Sequence, residues 1–229
     1  GSSPYSPSAD NVTSKLNVTT LQNALAASNV TVATRATGSQ TGNITVSNTV
    51  VWSANTLTLQ AHNDVILNAN LSGSGSAGLA FQPSLDSTTI GVAGGAGTLN
   101  LSTADLAKVT GSFSNITIGK TTGTGAMAVN ANTWNDPLTL ISNTGVITIN
   151  GTQTMGTNNL AIRTNANLAL NTALTGTGDL TIAPAGTATS IGLAGGAGTL
   201  NLTATELGRI TDGWGKITLG RADLTADIT

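Results

Sequence analysis

The sequence predicts an all-β chain, a right-handed parallel β-helix (β-solenoid) with short helical turns at the corners of its repeats. Three observations carry that expectation. The stretch Ile90-Gly-Val-Ala-Gly-Gly-Ala-Gly-Thr-Leu-Asn-Leu101 returns as Ile191-Gly-Leu-Ala-Gly-Gly-Ala-Gly-Thr-Leu-Asn-Leu202, 101 residues later. Self-similarity at a fixed long period marks a repeat architecture, in which each unit buries its apolar face against its neighbours. The repeat also tolerates loss of a block: Leu16 to Ile44 spans 28 residues where Leu99 to the matching Ile147 spans 48. The first unit therefore lacks 20 residues, the size of one whole coil. Finally, short segments alternate aliphatic and small residues along the whole length.

Taken in order, Leu16-Asn17-Val18-Thr19 is a faint first copy of Leu99-Asn100-Leu101-Ser102 and Leu200-Asn201-Leu202-Thr203. Three residues after each hydroxyl stands Gln22, Asp105 or Glu206. Ser102 with Asp105 and Thr203 with Glu206 have the spacing of a capping box, and Thr19 with Gln22 is a weaker version. Each pair predicts a helical turn after a strand, with Leu21, Ala24 and Leu25, Leu106 and Val109, or Leu207 and Ile210 on its apolar side. The helix near residues 19–27 is expected to cover the open end of the stack.

Strands are read at Val30-Thr-Val32, Ile44-Thr-Val46, Leu57-Thr-Leu59, Val65-Ile-Leu67, Leu99-Asn-Leu101, Ile116-Thr-Ile118 and Met127-Ala-Val129. They continue at Leu138-Thr-Leu140, Ile147-Thr-Ile149, Leu160-Ala-Ile162, Leu168-Ala-Leu170, Leu180-Thr-Ile182, Leu200-Asn-Leu202 and Ile217-Thr-Leu219. Period two puts the aliphatic residues on one face, and the branched Cβ of Thr suits the pleated outer face. Asn150-Gly151 is the main hairpin-turn candidate, and no hairpin rhythm surrounds it. Stacked coils are therefore preferred to a sandwich. The repeat units run 16–98, 99–199 and, in part, 200–229. Residues 1–15 read as an N-terminal linker whose Gly1-Ser2-Ser3 looks like a cloning scar, so the chain is expected to be a segment of something longer. Roughly ten coils at ~4.8 Å would extend it to about 50 Å.

Composition narrows the function classes. Only 8% of the 229 residues are charged and 3% aromatic, with 28 Gly, one His and no Cys. The net charge of −2 comes without any Lys/Arg cluster, which sets nucleic-acid binding aside. No apolar run reaches the length of a membrane span. Without cysteine there is neither a disulfide framework nor a thiolate metal site.

The recurring carboxylates Asp105 and Glu206 are the most tempting chemical candidates, and capping explains both. One full repeat apart, they would be separated by over ~20 Å, whereas a glycosidase pair needs roughly 5–10 Å. His62 and Asp64 share a strand face and make a weak candidate polar site. No second His exists to complete a metal or catalytic set, and the second unit carries Asn165 and Asn167 there. The Gly91–Gly97 and Gly192–Gly198 loops lack the Lys of a P-loop and the Asp of a calcium nonapeptide, so they read as tight turns. Trp52, Trp134 and Trp214 could stack on sugars, but Met155 and Phe113 at equivalent positions point to inward packing. No catalytic residue, metal or cofactor is expected.

Val30-Thr-Val32, Gly42-Asn-Ile-Thr-Val46, Leu57-Thr-Leu-Gln-Ala61, Val65-Ile-Leu-Asn-Ala-Asn-Leu71, Leu101-Ser-Thr-Ala-Asp-Leu106 and Ile116-Thr-Ile-Gly119 together resemble the repeat region of filamentous-haemagglutinin-like large exoproteins. The resemblance covers nearly all of residues 16–229. It implies a bacterial secreted or outer-membrane-associated surface protein exported by two-partner secretion, built as a long right-handed parallel β-helix. The family's secretion domain carries an Asn-Pro-Asn-Gly-type motif, which neither Asn135-Asp-Pro137 nor Gln82-Pro83 supplies. The chain thus looks like adhesin shaft: a non-enzymatic monomer whose partners are neighbouring repeats of its parent chain and a host or cell-surface glycan or protein receptor. Two alternatives stand beside it. A carbohydrate-binding or carbohydrate-processing β-helix would want charges clustered along one groove, and here they are scattered. An ice- or surface-binding solenoid would want Thr-x-Thr rows, and here one hydroxyl per strand faces out.

Overall fold

The structure, a computed structural model, describes residues 3–6, 13–34 and 40–229. Of the expected N-terminal linker, residues 1, 2 and 7–12 lie outside that set. The chain runs through helix α1 (Val18–Ala27) and strands β1 (Val30–Ala33), β2 (Ile44–Val46), β3 (Val50–Trp52) and β4 (Thr56–Ala61). Next come β5 (Val65–Leu67), β6 (Leu71–Gly73), β7 (Gly78–Pro83), β8 (Ile90–Val92) and β9 (Leu99–Leu101). The one-turn helix α2 (Thr103–Leu106) leads to β10 (Val109–Gly111), β11 (Asn115–Gly119), β12 (Met127–Val129) and β13 (Asn132–Thr133). They are followed by β14 (Leu138–Ile141), β15 (Ile147–Ile149), β16 (Gln153–Thr154), β17 (Leu160–Arg163) and β18 (Leu168–Leu170). The chain closes with β19 (Leu174–Thr175), β20 (Asp179–Ala183), β21 (Ile191–Leu193), β22 (Leu200–Leu202), helix α3 (Ala204–Leu207) and β23 (Lys216–Leu219).

The fold is mostly β, and its longest sheet holds eight strands in the order β1-β4-β7-β11-β14-β17-β20-β23. All of its pairings are parallel and in register. Val30, Leu57, Leu79, Ile116, Leu138, Leu160, Leu180 and Ile217 therefore form one column, all buried except the last. The outward column reads Thr31, Thr58, Ala80, Thr117, Thr139, Ala161, Thr181 and Thr218. In register, a single alternating tripeptide repeated at every level is enough to keep the interior aliphatic.

The other strands make two further faces. One holds β2-β5, then β9-β8-β12-β15-β18, then β22-β21; the other holds β3-β6-β10 and β13-β16-β19. Most steps along the long sheet take 20–22 residues, as from Leu138 to Leu160 or Leu160 to Leu180. Leu79 to Ile116 and Leu180 to Ile217 each take 37. Those long circuits hold a doubled strand and a helix, so the long sheet has eight levels where the sequence suggested ten. Eight strands span ~34 Å.

The doubled strand is the Gly-rich repeat itself. β8 and β9 lie side by side in parallel, with Ile90 opposite Leu99 only nine residues on. Parallel neighbours ordinarily need a crossover of a dozen or more residues. The shortcut works because the loop packs backbone on backbone: a Cβ on Gly97 would strike the nitrogen of Gly91, and one on Gly95 would strike the carbonyl of Ala128. Asn100 Nδ2 donates to the Gly95 carbonyl at 3.0 Å, and Asn201 Nδ2 to that of Gly196 at 2.7 Å in the second copy.

At one end α1 packs against β1 and β3, the terminal strands of their sheets, and buries Leu21 and Leu25. Its N-cap is Asn17, whose side chain accepts from the Thr19 and Thr20 amides. Thr19 is therefore not the cap expected of it: the helix begins one residue before it, so its own amide is one of the orphan donors. Gln22 does not reach back either; its Nε2 donates to the Val51 carbonyl at 2.9 Å. Tyr5 adds a parallel bridge to Val32 at the edge of β1, so this part of the expected linker belongs to the sheet. At the other end Ile217 and Ile228 are 47% and 49% exposed, while their repeat counterparts Ile116 and Met127 are buried.

Three stability outcomes follow from the packing. Gly97→Ala should lower stability by more than ~2 kcal/mol through backbone overlap. Gly94→Ala, which has a φ of 79° and nothing within 4 Å of its Cβ, should cost about 1 kcal/mol of left-handed strain. Leu138→Ala in the buried column should cost about 2–5 kcal/mol. Thermal and denaturant melts of the three variants check the ranking.

Candidate functional site

The doubled strand disturbs the ladder around it, and the polar residues singled out by sequence collect there. β9 lies beside β5 without joining its sheet. Side chains take over the missing ladder bonds. Asp64 Oδ1 accepts from the amides of Val65 at 2.9 Å and Asn100 at 2.8 Å. From the opposite side Asp105 Oδ1 accepts from Leu67 N at 2.8 Å. In the second repeat Asn167 Oδ1 receives Asn201 N at 3.3 Å and Glu206 Oε1 receives Leu170 N at 3.1 Å. A side-chain oxygen, carboxylate or amide, thus stands where a strand carbonyl would.

Asp105 and Glu206 each do this with one oxygen and cap a helix with the other. Asp105 Oδ2 accepts from Ser102 N at 3.1 Å and from the Ser102 hydroxyl, while Ser102 Oγ accepts from Asp105 N. Thr203 and Glu206 repeat the arrangement, with Glu206 Oε2 accepting at 3.0 Å from Thr203 N and at 2.8 Å from its hydroxyl. Spacing alone revealed the capping half of the role; the stitching half depends on a partner 36 or 38 residues away.

His62 and Asp64 do not assemble into a site. Asp64 is occupied by backbone amides, and the His62 ring lies 3.4 Å from Ser84 Oγ, its backbone amide donating to Thr34 Oγ1. The aromatic side chains turn inward: Trp52 and Trp134 are buried, and the Trp52 and Phe113 rings meet at 5.2 Å. Lys120 pairs with Asp86 at 2.6 Å and donates to the Ser84 carbonyl, and its counterpart Arg221 pairs with Asp223 and reaches the Ala185 carbonyl. These cations hold Asp86 and Asp223 below the ordinary carboxylate value. They clasp neighbouring loops on the surface. Among the described residues no three His, Cys, Asp or Glu side chains could hold a metal ion, and no helix is long and apolar enough to cross a membrane.

A groove also opens on the third face, and sequence reasoning missed it. Between β5 and β12 the second face carries two strands, β9 and β8; between β6 and β13 the third face carries β10 alone. β10 pairs with β6 and β13 with β16, leaving them unpaired with each other. The extra strand spacing on the neighbouring face is ~4.8 Å, and it is taken up here as a groove of about 440 Å³. Leu106 and Val109 form its apolar side, with Thr110, Asn132, Asn135 and Asp136 as polar lining.

Asp136 is 5% exposed and accepts from Phe113 N at 2.7 Å through Oδ1. Burial pushes its carboxyl above the ordinary value, and the Phe113 amide only partly offsets this. Its neighbours Asn135 and Pro137 gave no signal, because the groove arises from strand bookkeeping between distant circuits. No family model, curated protein or solved structure matches the chain.

Two outcomes test these assignments. Asp105→Ala should cost about 1–3 kcal/mol by orphaning the Leu67 amide, with loss of hydrogen-exchange protection at Leu67. For Asp136, the folded protein holds the proton to higher pH than the unfolded chain does. Its stabilising contribution is therefore present at low pH and lost as pH rises through the folded value. Asp136→Asn keeps the acceptor for Phe113 N and never ionises. Its melting temperature relative to the parent should rise from acid to neutral pH; a constant difference would contradict the assignment.

Proposed function

We propose that the chain is a β-solenoid, a right-handed parallel β-helix with helical turns at its repeat corners, serving as a shaft segment of a bacterial secreted or cell-surface adhesin. The observation that carries this reading is the eight-stranded parallel sheet, whose 37-residue steps recur 101 residues apart. Such a chain lengthens by whole units without changing its cross-section, which is the property a spacer needs. The outward column of Thr and Ala and the inward aliphatic column support the same reading, since neither gathers reactive groups. The adhesin assignment rests on the resemblance of these strands to exoprotein repeats, with a binding or toxic module carried beyond the shaft.

The test is a chain in which residues 99–199 occur twice. Four strands of the long sheet (β11, β14, β17 and β20) begin in that block. Small-angle scattering should show a length increase of ~19 Å at constant cross-section, with melting preserved. A thicker particle or an unfolded insert would overturn the reading.

A further inference from the structure

We propose that the groove between β10 and β13 is a binding site for an uncharged saccharide unit, a mono- or disaccharide portion of a glycan. The site is independent of the shaft reading and follows from its own lining. Leu71 N donates to Lys108 O, and Ser112 N to Gly73 O, so Lys108 and Ser112 face β6. By alternation Val109 and Gly111 turn their N–H and C=O groups into the groove. Asn132 N and Trp134 N donate to Thr152 O and Thr154 O, which leaves the backbone of Thr133 facing the groove from the other side. Both rims thus offer unpaired backbone donors and acceptors.

The side chains add chemistry of the same kind. Asn132 and Asn135 contribute amides, Thr110 a hydroxyl that also donates to the Leu71 carbonyl at 3.4 Å, and Asp136 a carboxylate whose Oδ1 is already fixed by Phe113. Leu106 and Val109 provide an apolar strip on which the C–H face of a pyranose ring packs. No Lys or Arg lines the groove, so nothing there neutralises an anion, and a buried carboxylate repels one. A ligand rich in hydroxyls, uncharged and apolar on one face satisfies every group present. The volume of about 440 Å³ falls in the range of small-molecule sites.

The boundaries select a compact ligand over a peptide strand. On one flank β11 and β14 are directly paired, Ile116 opposite Leu138; on the other, β8 and β12 are paired, Ile90 opposite Met127. An extended peptide laid between β10 and β13 would run into closed ladder within a few residues at either end. The near wall recurs in the second repeat as Leu207, Ile210 and Thr211.

The test is amide chemical-shift mapping of the whole chain with methyl α-mannopyranoside, lactose, N,N′-diacetylchitobiose and 3′-sialyllactose, and with the peptide acetyl-Val-Thr-Val-amide. At least one neutral sugar should shift the amides of Gly111, Thr133 and Asn135 saturably, with a Kd of ~0.1–10 mM. Where lactose binds, its sialylated form should bind several-fold more weakly. Asn132→Ala/Asn135→Ala, both in the groove lining, should weaken binding about tenfold at an unchanged melting temperature. The proposal is overturned if none of the neutral sugars shifts these amides, if the shifts fall elsewhere, if the double variant binds as well as the parent, or if only the peptide binds.

Discussion

The interaction on which everything else depends is the parallel, in-register ladder of the eight-stranded sheet. Register stacks an aliphatic residue on an aliphatic residue at every level of the Val30 column from β1 to β20. A one-residue slip would turn each aliphatic column outward and bring Thr inside. The interior is thin and mostly aliphatic, so its stability comes from many small columns. An end must then be closed or left exposed. Helix α1 and the Tyr5 bridge close one end; at the other, Ile217 and Ile228 remain as the open face of the columns.

The doubled strand is the second constraint, and it generates most of the polar chemistry. Glycines let β9 return beside β8 after nine residues, which adds a strand to one face without adding one to the others. The ladder bonds missing between β5 and β9 are replaced by Asp64 and Asp105, and those between β18 and β22 by Asn167 and Glu206. Asp64, Asp105 and Glu206 are therefore partners for backbone amides. A carboxylate is well suited to this place, because charge-assisted bonds to N–H groups are strong and its second oxygen remains free to cap the following helix. Where the mismatch reaches the third face, only Asp136 spans part of it, and the groove is what is left.

Most strands of the long sheet and of the second face were legible because aliphatic-x-aliphatic triplets with period two need no tertiary information. Strands β3, β6, β10, β13, β16 and β19 of the third face, and β7, β8 and β21, were not, since they do not carry a full triplet or lie in Gly-rich sequence. The helical turns after Leu101 and Leu202 were legible from Ser102 with Asp105 and Thr203 with Glu206, since a capping box is a three-residue signal. Asn17 displaced Thr19 as the cap of α1 because both residues can accept and sequence does not say where the helix starts. The glycine loops read as tight turns, but not as joining parallel neighbours nine residues apart, since that depends on which strand β9 sits beside. Asp136 and the groove were invisible for the same reason. They depend on how many strands each face accumulates, a count that no local window contains. The role of Asp64 was hidden likewise: its partner Asn100 lies 36 residues on.

The most direct measurement of the central claim is a spin-label distance along the outward column. The chain has no cysteine, so labels can be placed singly on Thr58, Thr181 and Thr218, all facing out of the long sheet. Thr58 and Thr181 are five strand steps apart and Thr58 and Thr218 six. The expected distances are ~24 Å and ~29 Å, narrow in distribution. Moving the label by 37 residues should therefore add only one strand spacing. Distances that grow with sequence separation, or broad distributions, would contradict the ladder and the account built on it.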